Sequence, residues 1–140
     1  MHLSFALFAD GANLSQEGKL NILGVFDAVQ VAQFPSVHPR AHLVVRLKGT
    51  RADVGSHAVT LSWRDPQGTE LWTSTGQLEI GAPPPVVNDI DMPLIAPIDL
   101  PLSVAGTYTM AIVLDGERQG ELRLHVRDAA TPLPGAAMVS

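Results

Sequence analysis

Apolar and polar residues alternate along most of this chain with a period of two, which is typical of β-strands with one buried face. The clearest case runs from Gly106 to Val126. Its apolar phase consists of Tyr108, Met110, Ile112, Leu114, Leu122, Leu124 and Val126. Glu121, Arg123 and His125 take the opposite phase of its second half. The segment therefore predicts a β-hairpin with one buried face.

The same alternation predicts further strands, separated by turns that contain glycine and proline. Leu3 to Ala9 is apolar on both phases, so we expect this first strand to be internal or covered. Leu43 to Lys48 and Val59 to Arg64 each have one apolar and one polar phase. Asp65-Pro66-Gln67-Gly68 has the residues that a type I turn prefers, and it predicts a second hairpin onto Glu70–Ile80.

In two other segments, glycine and proline residues indicate where a strand is distorted, where it ends or where it lies in its sheet. Lys19 to Val31 is the longest strand candidate, and Gly24 inside it predicts a bulge or a close backbone approach. Phe34-Pro35 and His38-Pro39 are expected to end that strand, because proline cannot donate to a ladder. An edge position is predicted for the segment from Asp89 onward, because it contains Pro93, Pro97 and Pro101.

About seven to eight strands in a chain of 140 residues indicate an all-β, immunoglobulin-like antiparallel β-sandwich. By length the chain is one domain, which we place at residues 1–127, with a flexible C-terminal tail at 128–140. Tyr108 lies two residues before Met110, in the setting of a tyrosine corner. We expect its hydroxyl to bind backbone groups upstream.

Several short motifs resemble those of a family of small bacterial proteins known only as a domain of unknown function. They are Gly18 to Asp27 (GKLNILGVFD), Phe34-Pro35, His38-Pro39, Gly106-Thr107-Tyr108 and Leu114-Asp115-Gly116. The resemblance extends from about Phe5 to Val126. It implies a compact β-sandwich. The family has no established catalytic residues, so no site is transferred from it.

Composition narrows the choice of partners and compartment. The net charge is −5 and the nine basic residues are scattered, so nucleic acid is not an expected partner. Charged residues make up 16% of the chain, against about 25% in an average domain, which suggests that another chain covers some of the surface. No segment approaches the ~18 apolar residues of a membrane span. Because cysteine is absent, we expect a cytoplasmic protein. The apolar N-terminal segment lacks a basic leading region and is interrupted by Ser4 and Asp10, so we expect the protein to begin at or near Met1.

Candidate chemistry is sparse. The five histidines, His2, His38, His42, His57 and His125, stand singly on different segments, so neither a metal nor another cofactor is expected. Asp89 and Asp91 share the outward phase of a predicted edge strand and could form an acid/base pair, although keeping that edge soluble explains them better. No GxSxG, GxGxxG or P-loop motif occurs, and we therefore expect no enzyme.

Two surfaces are candidates for a partner or ligand. Strict alternation places Trp72 outward, where it could stack on a sugar, whereas a bulge would turn it inward beside Trp63; we favour the inward orientation. Thr107, Thr109, Ala111 and Val113 form a face behind the hairpin that we expect to be nearly free of charge.

Three functional hypotheses follow from these surfaces and candidate residues. The first is a non-catalytic protein-interaction or assembly module with an unknown protein partner, possibly a homo-oligomer. The second is a small-ligand or carbohydrate-binding module that uses Trp72. A hydrolase that uses Asp89 and Asp91 is the third.

Overall fold

In a computed structural model, residues 1–129 are described, and they form an all-β chain. The nine strands, numbered in chain order, are β1 (His2–Leu14), β2 (Leu20–Phe26), β3 (Ala28–Val31), β4 (Ser36–Thr50), β5 (Gly55–Arg64), β6 (Glu70–Ile80), β7 (Asp89–Leu102), β8 (Gly106–Leu114) and β9 (Glu117–Asp128). A single 3-10 turn, Arg51–Asp53, follows β4. Among the described residues, no helix is long and apolar enough to cross a membrane. Most of the predicted tail, from residue 130 onward, lies outside them.

The strands form two sheets that pack against each other. One sheet has four strands in the order β2-β1-β4-β7, and the other has five in the order β3-β9-β8-β5-β6. Neighbours pair antiparallel except β3 and β9, which run parallel. The predicted all-β fold is therefore confirmed, with nine strands and with one mixed sheet where we expected antiparallel pairing throughout.

Both predicted hairpins are present. β8 and β9 are joined by Asp115 and Gly116, whose φ angles of 50° and 80° suit the tight turn of a two-residue hairpin. β5 and β6 are joined by the turn at Asp65, whose carbonyl accepts a 2.9 Å bond from the Gly68 N–H. The Asp65 carboxylate also accepts from the N–H of Gln67 at 2.9 Å, which closes the turn.

The prediction of one long strand over Lys19–Val31 is wrong. The chain changes sheets at Asp27: β2 pairs with β1 in the four-stranded sheet, and β3 pairs with β9 in the five-stranded sheet. Gly24 causes no bulge, because the β1–β2 register is regular. It has a φ of 71°, and a Cβ there would lie 2.9 Å from Cγ of Asp10, so the group that lies close to Gly24 is the Asp10 side chain.

Aromatic rings connect the sheets through the core. The ring of Phe8 on β1 meets Trp63 on β5 edge-on at 6.1 Å, and Trp63 stacks on Tyr108 of β8. The Tyr108 hydroxyl donates to the Val104 carbonyl at 2.7 Å and accepts from the Ser103 N–H at 2.8 Å, so the expected tyrosine corner is present. The predicted edge position of the proline-containing strand is also confirmed, since β7 ends its sheet.

Candidate functional site

The outer surface of the four-stranded sheet has apolar residues where strand alternation would place solvent-facing ones. Val44 lies between the core residues Leu43 and Val45, so its side chain points away from the other sheet. It is nevertheless 0% exposed. Leu7 and Ile95 stand directly opposite Val44 on the two neighbouring strands and flank it. A second apolar layer therefore exists outside the sandwich core.

This layer continues to the free edge of the sheet. Ala9 also points outward and is 0% exposed, while its partner Val25 on β2 is 61% exposed and nearby Leu23 is 75% exposed. We call this surface the outer apolar face, and its members are Phe5, Leu7, Ala9, Leu23, Val25, His42, Val44, Ile95 and Pro97. Its β1 residues confirm that the first strand is internal, while β4 and β7 contribute residues that the sequence reasoning did not select.

His42 is the polar member of the outer apolar face. It stands opposite Ala9 on one side and Pro97 on the other. Its Nδ1 atom is buried and has no hydrogen-bond partner among residues 1–129. An unsatisfied buried ring nitrogen is unusual, because burying a polar group without a partner carries a desolvation cost.

Ion pairs stand at one end of the outer apolar face. Arg46 donates to both carboxylate oxygens of Asp91, with an Nε to Oδ1 distance of 2.8 Å, and Lys48 Nζ lies 3.5 Å from Oδ2. The hydrogen bonds from Arg46 lower the pKa of Asp91. A carboxylate kept ionised in this way is a poor general acid at neutral pH. Asp89, the other half of the suggested acid/base pair, is exposed and stands opposite Thr50.

A second polar cluster is centred on His57 at the start of β5. Its Nδ1 lies 2.6 Å from Oδ2 of Asp115, and its Nε2 lies 2.6 Å from the carbonyl oxygen of Asp53. Both partners are acceptors, so this arrangement favours the protonated ring, in which both nitrogens donate. The bond to Asp115, and next the one to Asp53, raises the pKa of His57. Both ring nitrogens are engaged by these two partners, so neither is open to a substrate.

The two aspartates of this cluster are held ionised by their own contacts. The bond from His57, followed by that from the Ala58 N–H, lowers the pKa of Asp115. The Asp53 carboxylate accepts from the Thr50 N–H at 2.9 Å and from the amino group of Met1 at 2.9 Å, and these bonds lower its pKa. The cluster thus ties the β4–β5 connection to the β8–β9 turn. Within the described part of the chain, no group of histidine and acidic residues is arranged to hold a metal ion.

The predicted partner surface on β8 lies on the outer side of the five-stranded sheet. Thr107, Thr109 and Val113 do share that side, but β9 places His125, Arg123 and Arg118 directly opposite them. Thr107 Oγ1 also lies 3.1 Å from Nδ1 of His125. The threonine face is therefore bordered by charge, and it is more polar than the outer apolar face.

Trp72 takes the inward orientation that a bulge permits. The β5–β6 register shifts between Trp63 and Arg64, which leaves Leu71 as the extra residue and places Trp72 directly opposite Trp63. Trp72 is half-buried and packs against the core. Its ring is therefore less accessible to a sugar than it would be in the outward orientation that strict alternation predicts.

Comparison with known proteins adds a family but no activity. Among curated proteins, no match to the chain was found. Residues 4–127 match a family described as a family of unknown function (DUF6941), and this range contains all the strands from β2 to β8 and nearly all of β1 and β9. The match covers far more than half of the sequence. The chain therefore belongs to this family of unknown function (DUF6941).

Proposed function

We propose that this chain is a non-catalytic interaction module, with an immunoglobulin-like sandwich, that self-associates through its outer apolar face. The observation that carries the proposal is that Leu23 and Val25 are 75% and 61% exposed beside the apolar Ala9, on the side of the sheet that faces away from the core. Residues on such a face are ordinarily polar in a sandwich that works alone. Here they form a second apolar layer.

The size of the face indicates how strong the association would be. Four strands at ~4.8 Å spacing and about five residues at ~3.4 Å give roughly 330 Å² of projected area. The largest apolar patch on a typical monomer covers about 300–600 Å² and is often functional, and this face is of that size. Stable complexes bury about 800 Å² per partner, so the contact would also include the rim. We therefore expect a reversible dimer that depends on concentration.

A second copy of the chain is the occupant that the face fits best. Two sheets pack face to face at ~10 Å with their inner side chains interdigitated, as the two sheets of one sandwich do. A two-fold axis near Val44 would pair the apolar residues of one copy with those of the other. It would also place the Arg46–Asp91 pairs of the two copies at opposite ends, where like charges do not meet.

Charge placed on the face tests this proposal. Val25→Lys on β2 and Ile95→Lys on β7 put a cation at either side of the face, and an exposed lysine at Val25 disturbs no core contact. Sedimentation equilibrium from about 1 µM to about 1 mM protein measures the dissociation constant. We expect each variant to raise it at least tenfold. Val86→Lys is the matched control, because Val86 is 94% exposed and lies outside the face.

Each outcome of that experiment decides the proposal. A wild-type chain that stays monomeric at about 1 mM contradicts self-association. If both face variants dimerise with the dissociation constant of the wild type, the interface does not lie on the outer apolar face. The same conclusion follows if Val86→Lys weakens the dimer as much as the face variants do. Urea unfolding of each variant, measured below the dissociation constant, confirms that the monomer is still folded.

The other hypotheses have weaker support. A carbohydrate module would need an open aromatic ring, and Trp72 is half-buried opposite Trp63. A hydrolase based on Asp89 and Asp91 would need a carboxyl group that can donate a proton, and the guanidinium of Arg46 opposes this in Asp91. Function in the cytoplasm stays a prediction that rests on the absence of cysteine.

A further inference from the structure

The two edge strands β6 and β7 leave a gap between the sheets on one side of the sandwich. Ser74 and Gly76 on β6 pair with Leu61 and Val59, which pack against the core, so they occupy inward positions. Ala96 on β7 is also directed inward, opposite Leu43. A Cβ built on Gly76 would meet no atom within 4 Å. Three small residues thus stand where the rest of the core has large ones.

The gap is a cavity of about 280 Å³ with apolar walls. Its deep part is formed by buried residues of β4 and β8, which include Leu43, Leu47, Ile112 and Leu114. Its mouth lies at β6, because Ser74 and Gly76 line the cavity and are exposed. Within the described part of the chain, no acidic residue, basic residue or histidine lines the cavity.

We propose that this cavity binds an unbranched aliphatic chain of about nine carbons with an uncharged polar head at the mouth. A methylene group is about as large as a water molecule, which takes ~30 Å³, so 280 Å³ has room for roughly nine groups. The Ser74 hydroxyl at the mouth offers a hydrogen bond to the head group. A charged head gains no partner from the lining residues.

The shape of the cavity also favours a chain. Its lining extends along β4 from Leu43 to Leu47, which is about 13 Å at ~3.3 Å per residue. Across the cavity, the two sheets are separated by ~10 Å, much of which is filled by the side chains of the walls. The space is therefore longer than it is wide. A ligand that enters at the β6–β7 opening would lie along the strands.

A series of 1-alkanols from hexanol to dodecanol tests the site in the full chain by isothermal titration calorimetry. Each methylene that enters the cavity should strengthen binding about fourfold. The gain should stop near nine carbons, where the cavity is full, and longer chains should bind no more tightly. A gain that continues unchanged to dodecanol contradicts an enclosed cavity and indicates binding to an open surface.

Filling the cavity provides the second test. Gly76→Leu adds a side chain to open space, and the backbone of Gly76 lies outside the left-handed region. The variant should therefore fold and should resist urea better than the wild type. We expect it to bind 1-nonanol at least tenfold more weakly. Ala96→Val narrows the cavity from the other wall and should also weaken binding. Thr75→Leu is the matched control, because it adds the same side chain to the outer side of β6.

Unchanged 1-nonanol binding in both cavity variants overturns the proposal, and so does equal loss in Thr75→Leu. Val25→Lys separates this site from the self-association face. It should bind 1-nonanol as wild type does, because Val25 lies on the outside of the other sheet. If alkanol binding is lost in Val25→Lys and retained in Gly76→Leu, the ligand occupies the outer apolar face, and the cavity assignment is wrong.

Discussion

The indole ring of Trp63 stacks on the phenol ring of Tyr108, with ring centroids 5.3 Å apart and planes 18° from parallel. Each ring also makes a hydrogen bond to backbone outside the five-stranded sheet. Trp63 Nε1 donates to the Pro101 carbonyl on β7 at 3.0 Å, and the Tyr108 hydroxyl binds the backbone at Val104. Both rings are fully buried. The stacked pair therefore joins one sheet to the end of the other.

Removing the hydroxyl in Tyr108→Phe should lower the free energy of unfolding by about 1–3 kcal/mol. The ring and its stacking on Trp63 remain, but the N–H groups of Ser103 and Val104 lose their acceptor. Urea denaturation at equilibrium measures the change. Thr107→Val serves as a control, because it removes a hydroxyl whose bond is exposed, and it should cost under about 0.5 kcal/mol. Equal effects of the two changes would mean that the corner contributes nothing specific.

Ile112→Asp should abolish cooperative folding. Ile112 is 1% exposed in the centre of the core, where a carboxylate has no partner and loses its hydration. Val113→Asp is the matched control on the next residue, because Val113 faces outward with Arg118 directly opposite. We expect this second variant to unfold within about 1 kcal/mol of wild type. Thermal unfolding by circular dichroism compares them, and a native transition in Ile112→Asp would contradict the core assignment.

Local alternation predicted the strands well where each strand has one apolar phase. β8 and β9 follow the pattern of Tyr108 and its neighbours, and the Asp65 turn depends on residues only three apart. The change of sheet at Asp27 was missed because the residues around it are apolar on both phases. No local sequence pattern indicates that β3 pairs with β9, which follows almost a hundred residues later in the chain.

The candidate sites were harder to predict, since they depend on strands that are distant in sequence. The two apolar phases of β1 indicated that a cover was needed, but not that Val44 and Ile95 would complete the same face. The cavity depends on two small residues, Gly76 and Ala96, that lie on different sheets. Either residue alone is an unremarkable small residue in a strand, so only the packing of the two sheets reveals the gap.

Gly24→Ala should lower the free energy of unfolding by about 1–3 kcal/mol, because φ there is 71° and a Cβ would collide with the Asp10 side chain. Asp10→Gly removes the collision and leaves the backbone strain. A double-mutant cycle in urea separates the two effects. In the Asp10→Gly background we expect Gly24→Ala to cost only about 1 kcal/mol. An equal cost in both backgrounds would show that Asp10 exerts no steric constraint on Gly24.

The His57 cluster should make stability depend on pH in both directions. The pKa of His57 is raised above its ordinary 6.5, so its contribution is complete below pH 6.5 and is lost as the pH rises through the raised pKa. The pKa of Asp115 is lowered below 3.8, so its contribution is complete above pH 3.8 and is lost as the pH falls through the lowered pKa. Urea midpoints from pH 3 to 9 should therefore be highest between about 4 and 6.5. His57→Gln should remove most of the decline on the alkaline side, whereas His125→Gln, at an exposed residue, should leave it. A decline of unchanged size in His57→Gln would show that another group causes it.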